Sequence, residues 1–300
     1  MILILILPVI TFGQTDIQSS QHMFDRITYN PASTGASRYI NIYGHLRDQW
    51  QGFNGGPQTM YLTGHAYSPN LKSGIGLIIV KDKLGDLEHN SLLKISYAYH
   101  LYLTQNSYLS LGLNAGILNK NIDWVKKQLE EPDSNLPNYV EDKIVADFDF
   151  GMEYNMENFT AGVSVTHLTR KRDKQPGSAM IRHFYGYVKY KLVLGVDFDL
   201  EPALFAQNNK KSTHIEGNML LHYRNKAWIG ASYRMDEKLD SESVVVMAGI
   251  DLMDFLRIGY SFDYNIGQIG KYANNTHEVM LGIRLHRPQK IYSKSPRFFE

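Results

Sequence analysis

Three carboxylates alternate with apolar residues in the segment from Asp147 to Tyr154. Asp147, Asp149 and Glu153 share one parity. Phenylalanine, methionine and tyrosine side chains fill the other parity. Successive side chains of a strand point to opposite sides, so this segment predicts a strand with one acidic face and one apolar face. The acidic face is a candidate binding surface for a partner polypeptide.

Histidine and serine residues offer two other kinds of chemistry, metal binding and nucleophilic catalysis. The 11 histidines are scattered and show no metal-type spacing. Ser96 and His100 share a predicted face, as a serine hydrolase would require, but the interior of any barrel produces such pairs by chance. The chain has no cysteine, which excludes disulfides and thiolate metal sites. We therefore predict no catalytic site, no cofactor and no metal site.

The alternation of Asp147–Tyr154 recurs along the chain and predicts about 14 strands within residues 38–286. In these registers no Asp, Glu, Lys or Arg falls on the apolar face of a strand interior. A Lys or Arg that faces lipid at mid-depth costs about 2–4 kcal/mol, so a lipid-facing surface should lack such residues. Pro202 has no amide hydrogen for a strand ladder, which predicts a bulge or a strand end at that position.

The connections between the predicted strands alternate in length. Tight turns follow the even-numbered strands, and longer polar segments follow the odd-numbered ones. The long segments are Gln51–Pro57, Lys83–Asn90, Asn119–Asp142, Leu168–Ile181, Met235–Glu242 and Asn265–Asn275. This pattern is typical of outer-membrane barrels with short periplasmic turns and long outer loops. The predicted fold is all-β, a transmembrane up-and-down antiparallel β-barrel of about 14 strands with a short N-terminal segment.

The sequence divides into four predicted regions. Residues 1–13 fit a secretory signal peptide cleaved after Gly13, with a buried N-terminal strand as the alternative. Residues 14–37 form an N-terminal segment, either a short helix or a plug, because Met23, Phe24 and Ile27 have helical spacing and Asn30-Pro31 would end a helix. Residues 38–286 form the barrel and residues 287–300 a C-terminal tail. The net charge of +1 implies no general attraction to nucleic acid.

Several motifs resemble those of one family. They are Tyr29-Asn-Pro-Ala32, the run Arg47-Asp-Gln-Trp-Gln-Gly-Phe-Asn-Gly-Gly-Pro-Gln-Thr59, Lys81-Asp-Lys-Leu-Gly85, Leu111-Gly-Leu-Asn-Ala-Gly116 and Leu256-Arg-Ile-Gly-Tyr-Ser-Phe-Asp-Tyr264. With them, residues 18–285 resemble the PorP/SprF family of type IX secretion system membrane proteins. The resemblance implies an outer-membrane protein of the export and gliding machinery of Bacteroidetes. It also implies partners among secreted surface adhesins, or their C-terminal signal domains, and among other components of that machinery in the periplasm and outer membrane. The tail Arg287–Glu300 departs from the family pattern, which leaves its role open.

The start of the first outer loop supplies further candidate residues. Arg47, Asp48, Trp50 and Phe53 combine aromatic rings with an arginine, as partner-binding anchors often do. The alternative interpretation is an interfacial aromatic residue beside an internal ion pair. The basic run 169–174 reads as solvated loop charge or as a contact for an acidic partner or lipopolysaccharide.

The leading hypothesis is a non-enzymatic outer-membrane barrel that binds or anchors a secreted surface protein. A barrel of about 14 strands should have a lumen that something occupies, and Asp147, Asp149 and Glu153 are expected to line it. The occupant is either residues 18–32 or the tail of a partner. The alternatives are a stand-alone porin-type channel for small solutes and a lipid-modifying barrel enzyme.

Overall fold

The computed structural model describes residues 18–286 except 38, 53–54, 127–138, 170–180, 210–211, 254 and 267–274. The predicted signal peptide and the C-terminal tail lie outside these residues, as does the basic run from residue 170 onward. Within the described residues, no helix is long and apolar enough to cross a membrane.

The described strands form one antiparallel sheet. They are β1 (Tyr39–Asp48), β2 (Gln58–Ser68), β3 (Ser73–Leu84), β4 (Glu88–Tyr102), β5 (Ser107–Asp123), β6 (Val140–Met156), β7 (Phe159–Thr166), β8 (His183–Tyr190), β9 (Leu192–Leu194), β10 (Phe198–Asn209), β11 (Thr213–Tyr223), β12 (Ala227–Asp236), β13 (Ser241–Leu252), β14 (Leu256–Asn265) and β15 (Thr276–His286). The sheet closes because β1 pairs with β15 from Tyr39↔His286 to Asp48↔His277. Closure leaves no unpaired sheet edge in lipid, where an unpaired backbone group costs several kcal/mol.

The barrel has 14 strand positions because β8 and β9 are two pieces of one strand. Both pieces pair with β10. The β8 pairs end at Ala203↔Lys189, and the β9 pairs resume at Leu200↔Leu192 in the same register. Pro202 lies in the gap, where it has no amide hydrogen to donate. The sequence predicted a bulge or a strand end at Pro202. Instead, Pro202 lies inside β10, and the interruption falls on the neighbouring strand.

The two faces of each strand differ as the alternation predicts. On β6, Asp147 and Asp149 are fully buried in the lumen, whereas Phe148 and Phe150 are 46% and 38% exposed on the outer surface. Leu113 on β5 faces outward in the same way and is 57% exposed. The outward residues therefore form an apolar band that faces lipid, and the inward face carries most of the buried charged side chains together with apolar clusters.

The connections define the two ends of the barrel. One end carries the tight turns and both ends of the barrel chain, Tyr39 and His286, and we call it the periplasmic end. Its turns are residues 69–72, 103–106, 157–158, 195–197, 224–226 and 253–255. The outer end carries residues 49–57, 85–87, 124–139, 167–182, 210–212, 237–240 and 266–275.

One predicted long loop, Lys83–Asn90, is wrong. Strand β3 continues to Leu84 and β4 begins at Glu88, so only residues 85–87 connect them. The ladder continues through Asp82↔Asn90 and Lys83↔His89. The polar side chains of this segment led to the prediction of a loop. Paired strands can, however, extend beyond the lipid, where both faces of the sheet are in water and both can be polar.

Residues 18–37, which we call the lumen segment, run through the barrel interior. They contain two short 3-10 turns, Arg26–Thr28 and Pro31–Ser33, and no α-helix among these residues. Met23 packs with Tyr43 and Met280, whereas Ile27 packs with Tyr61 and Ile78. The predicted helical spacing thus reflects contacts with different walls of the barrel, and barrel side chains bind much of the segment's backbone.

Candidate functional site

The N-terminal end of the lumen segment binds a buried charge cluster on β1, β14 and β15. Ser19 Oγ donates to Glu278 Oε1 at 2.7 Å, and Ser20 N donates to Glu278 Oε2 at 2.8 Å. Ser20 Oγ lies 2.7 Å from both Asp263 carboxylate oxygens and accepts from Arg47 Nη1 at 2.7 Å. Arg47 also pairs with Asp263 at 2.8 Å and with Glu278 at 3.1 Å. Hydrogen bonds to charged side chains therefore join the lumen segment to β1, β14 and β15, across the seam where the barrel closes.

A second group of charges extends this cluster towards β11 and β12. His22 Nε2 lies 3.1 Å from Glu216 Oε1, and Arg234 donates to Glu216 Oε2 from Nε and Nη2 at 3.0 and 2.8 Å. Arg234 Nη1 also lies 3.5 Å from Asp263 Oδ2. Buried charges are tolerated when they are paired and hydrogen-bonded, which is the case here.

The middle of the lumen segment is held by Glu153, one of the predicted carboxylates. Arg26 donates to Glu153 from Nε at 2.9 Å and from Nη2 at 3.3 Å. The Tyr187 hydroxyl donates to Glu153 and accepts from Asn30 Nδ2 at 2.9 Å. Asn155 Nδ2 donates to the same carboxylate at 2.8 Å. Glu153 is thus saturated by contacts within the chain.

Asp25 is the one carboxylate of the lumen segment, and it has few hydrogen-bond partners. Thr63 Oγ1 donates to Asp25 Oδ2 at 2.6 Å, whereas Oδ1 has no hydrogen-bond partner among the described residues. Asp25 is 1% exposed, and a buried carboxylate oxygen without a hydrogen bond is destabilising. Ionised Asp25 is therefore a cost to the seated segment.

The C-terminal end of the lumen segment is held by neutral groups. The hydroxyls of Thr34 and Ser96 are hydrogen-bonded at 2.5 Å, and His100 Nε2 donates to the Thr34 carbonyl at 3.0 Å. Gly35 N donates to His65 Nδ1 at 3.0 Å. Ser96 and His100, the pair considered for catalysis, therefore both bind Thr34 and are not hydrogen-bonded to each other as a catalytic pair would be. His100 Nδ1 instead contacts Ser110 Oγ at 2.8 Å.

Three inward-facing glycines form the seat for this end. A Cβ on Gly112 would overlap the backbone of Ala32, one on Gly151 would overlap the Asn30 amide, and one on Gly74 would overlap the Thr34 carbonyl. All three lie on different strands, β5, β6 and β3. The wall therefore lacks side chains where the segment backbone makes its closest approach.

Asp147 and Asp149 lie in a separate cluster with His167. Carboxylate and imidazole donors of these three residues come within 4.8 Å of one another, a set that can hold a metal ion. Here the Lys94 ammonium lies 2.7 Å from Asp147 Oδ2 and 2.8 Å from Asp149 Oδ2. His167 Nδ1 lies 2.7 Å from Asp147 Oδ2. The lysine thus supplies a positive charge where a metal ion would otherwise be needed.

The residues predicted to bind a partner lie in two different environments. Arg47 is 4% exposed and takes part in the internal ion pairs described above, in agreement with the alternative interpretation of its motif. Asp48 is partly buried and accepts from Gln51 Nε2 at 3.3 Å. Trp50 is partly buried at the end of β1, with a backbone φ of 58°. Phe53 lies outside the described residues.

Sequence reasoning proposed residues 18–32 as an occupant of the lumen but did not single out Ser19, Ser20 and His22 as its binding residues. The available signal was the excess of inward charge. Buried charges need counter-charges or hydrogen-bond donors, and a polar N-terminal segment of suitable length can supply them.

Comparison with known proteins gives both the fold and the family. A mutant of the monoaromatic hydrocarbon channel TodX has a TM-score of 0.53 and 9% identity over 92% of this chain and 97% of that one. The toluene transporter TbuX of Ralstonia pickettii has a TM-score of 0.53 and 10% identity over 88% of this chain and 93% of that one. At such identities the likeness shows the barrel fold alone. None of the curated proteins matches.

The family model described as type IX secretion system membrane protein PorP/SprF matches residues 11–283. That range includes the lumen segment and nearly the whole barrel. This chain belongs to the PorP/SprF family, a non-enzymatic family of type IX secretion system membrane proteins, and it is an outer-membrane β-barrel.

Proposed function

We propose that this barrel binds or anchors an exported surface protein at its outer end, and that it does not conduct solutes. The observation that supports the proposal is the occupied lumen. The lumen segment contacts Glu278 and Asp263 on one side of the barrel and Glu153 and Tyr187 on the other. A stand-alone porin needs a continuous aqueous path, which this segment obstructs.

One cavity beside the lumen segment is small. A cavity lined by residues that include His22, Tyr185, Glu216 and Arg234 has a volume of about 20 Å³. This is about the room that one water molecule needs. The cavity therefore offers no route for a nutrient or for a polypeptide tail from a partner.

The outer end is the surface on which we expect the exported protein or its C-terminal signal domain to bind. Four of the predicted partner-binding residues, Arg47, Asp147, Asp149 and Glu153, are engaged inside the barrel. The proposal therefore rests on Asp48, the last residue of β1, and on Trp50 and Phe53 in the outer connection 49–57. A tryptophan at such a position is a common centre of binding energy.

At the periplasmic end, several tight turns carry exposed apolar side chains. These are Leu71, Leu103, Val196 and Met253, which are 69%, 55%, 99% and 73% exposed. We propose that these turns contact periplasmic components of the secretion machinery. Apolar side chains at turn tips are costly in water and gain most from such a contact.

Affinity purification of the tagged barrel from native outer membranes, followed by mass spectrometry, tests the proposal. We expect an exported surface protein to be recovered, and Trp50→Ala to lower its recovery at least tenfold. Leu239→Ala, at an exposed position of the same end, is the matched control and should leave recovery unchanged. The purified wild-type barrel should not conduct in a planar bilayer. Conduction without any co-purified exported protein would favour the porin alternative.

A further inference from the structure

Two lysines on β3 face the opposite way from all other lysines and arginines in the described strands. Lys81 and Lys83 share the outward parity of Ile75 and Leu77, and both lysines are exposed. The other basic residues of these strands have inward parity, and they are Arg47, Lys94, Lys120, Lys143, Lys189, Arg234, Arg257 and Arg284. The outward positive charge of the described strands is therefore concentrated at two neighbouring positions near the outer end of β3.

The strand register places Lys81 directly above the apolar band that faces lipid. Ile79, the preceding outward residue of β3, lies in a row of apolar side chains on neighbouring strands that are 47%, 43% and 48% exposed, namely Leu62, Leu93 and Ile117. Lys81 is about 7 Å further along the strand and pairs with Met60 on one side and Ser91 on the other. A lysine at this border lays its methylene groups along apolar surface and places its ammonium at the level of the lipid headgroups.

Lys83 belongs to a polar row one step further from the lipid. It pairs with Gln58 on β2 and with His89 on β4, and all three side chains are exposed. The paired backbone fixes the spacing of these side chains, so their positions do not depend on a flexible loop. Two positive charges therefore stand one above the other at the height where the lipid tails end.

The carboxylates that are close to these lysines in the sequence have other partners. Asp82 has inward parity and accepts a hydrogen bond from Thr59 Oγ1 at 2.6 Å. Asp86, in the connection 85–87, pairs with Lys126 at 3.0 Å. Neither Lys81 nor Lys83 forms an ion pair with another residue in the described part of the chain. The two lysines are therefore available to an anion at the outer surface of the membrane.

We infer that Lys81 and Lys83 form a binding site for the phosphorylated headgroup of an outer-leaflet glycolipid, which is the chemistry of lipopolysaccharide. The apolar row at Ile79 contacts the acyl chains, and the two ammonium groups bind phosphate as point charges. Gln58 and His89 carry N–H groups that donate to phosphate or sugar oxygens. The site lies on the lipid-facing side of the barrel, so it goes beyond the proposed docking of an exported protein at the outer end and does not depend on it.

Native mass spectrometry of the purified barrel, titrated with lipids, tests this site. The probes are bis-phosphorylated lipid A, the same lipid A without its phosphates, and phosphatidylglycerol. The variants are Lys81→Gln/Lys83→Gln, which removes both charges, and Lys81→Arg/Lys83→Arg, which keeps them. Lys72→Gln/Lys226→Gln is the matched control, because it removes the same charge from exposed lysines of the periplasmic turns. The heat-dependent change in gel mobility shows that each variant is folded.

We expect wild type to bind phosphorylated lipid A more tightly than dephosphorylated lipid A by about tenfold or more, since each lysine beside an anionic lipid surface adds to the attraction. Lys81→Gln/Lys83→Gln should lose this preference, whereas the arginine variant and the periplasmic control should keep it.

Three results would overturn the inference. Unchanged preference in Lys81→Gln/Lys83→Gln would mean that the two lysines are merely solvated. Equal loss in the periplasmic control, or equally tight binding of phosphatidylglycerol, would reduce the effect to a general affinity for anionic lipid. Lower recovery of an exported protein by Lys81→Gln/Lys83→Gln, with unchanged lipid binding, would assign the lysines to that protein instead. Lipid binding and partner recovery are separate readouts, so either proposal can fail while the other stands.

Discussion

The two ends of the lumen segment are held by opposite kinds of interaction. Near the outer mouth, Ser20 and His22 bind charged side chains, and the cluster depends on Arg47 and Arg234 to balance three carboxylates. Near the periplasm, Thr34 binds neutral groups and the backbone lies against glycines. The first end is therefore selective for charge and the second for shape. A variant that disturbs one end should have a signature different from a variant that disturbs the other.

Removal of the cation at the outer end should have the largest effect. Arg47→Met leaves Asp263 and Glu278 buried with less positive charge, and breaking a buried pair in this way costs about 3–5 kcal/mol. We expect the temperature at which the folded barrel converts to the unfolded band on gel electrophoresis to fall strongly.

Arg224→Met is the matched control for this loss. Arg224 lies 2.7 Å from Asp197, but both side chains are largely exposed, at 55% and 40%. Exposed pairs contribute about 0–1 kcal/mol, so its conversion temperature should stay close to that of the wild type. Equal losses for the two arginines would show that burial of the outer cluster does not matter.

Addition of a side chain to a glycine at the periplasmic end should have the next largest effect on the seating of the segment. This effect arises from steric overlap and involves no change of charge. Gly112→Ala places a methyl group into the backbone of Ala32, an overlap that no rotamer change relieves. Overpacking costs about 1–3 kcal/mol, and a backbone overlap belongs at the upper end of that range. We expect the segment to leave its seat at this end, and the purified variant to conduct in a planar bilayer where the wild type does not.

Gly186→Ala is the control for this glycine. A Cβ at Gly186 meets no described atom within 4 Å, so this variant should behave as the wild type does. A closed lumen in Gly112→Ala with wild-type stability would mean that the glycine seat does not position the segment.

The barrel was readable from the sequence, whereas the fit of the segment inside it was not. Alternation fixed the faces of Phe148 and Asp149 because a strand has a period of two and lipid excludes charge from one face. The same rule says nothing about which inward residue meets which. Ser20 lies 243 positions from Asp263, so only the closed barrel brings them together.

Local chemistry explains the other differences between sequence and structure. Pro202 interrupts the neighbouring strand and not its own, because the missing amide hydrogen belongs to the ladder shared by both. The polar composition of Lys83–Asn90 is compatible both with a loop and with two strand ends that extend beyond the lipid into water. The sequence did not decide whether Arg47 points into the lumen. Arg47 lies next to the end of β1, where a strand leaves the lipid and polar residues can occupy both of its faces.

Removal of the Asp25 charge should give the smallest effect and should distinguish the middle of the segment from both ends. Asp25 is 1% exposed, and its Oδ1 has no hydrogen-bond partner among the described residues. Asp25→Asn removes the buried charge and keeps an oxygen that can accept from Thr63 Oγ1. The variant should therefore be as stable as the wild type or slightly more stable, because a buried charge with incomplete hydrogen bonding is destabilising.

The conversion temperature of Asp25→Asn should therefore equal that of the wild type or lie slightly above it. Arg26 and Thr63 keep their other contacts in the variant, so the comparison isolates the Asp25 charge. A clear fall in the conversion temperature would mean that the ionised carboxylate stabilises the middle of the segment, which would then be held by charge as the outer end is.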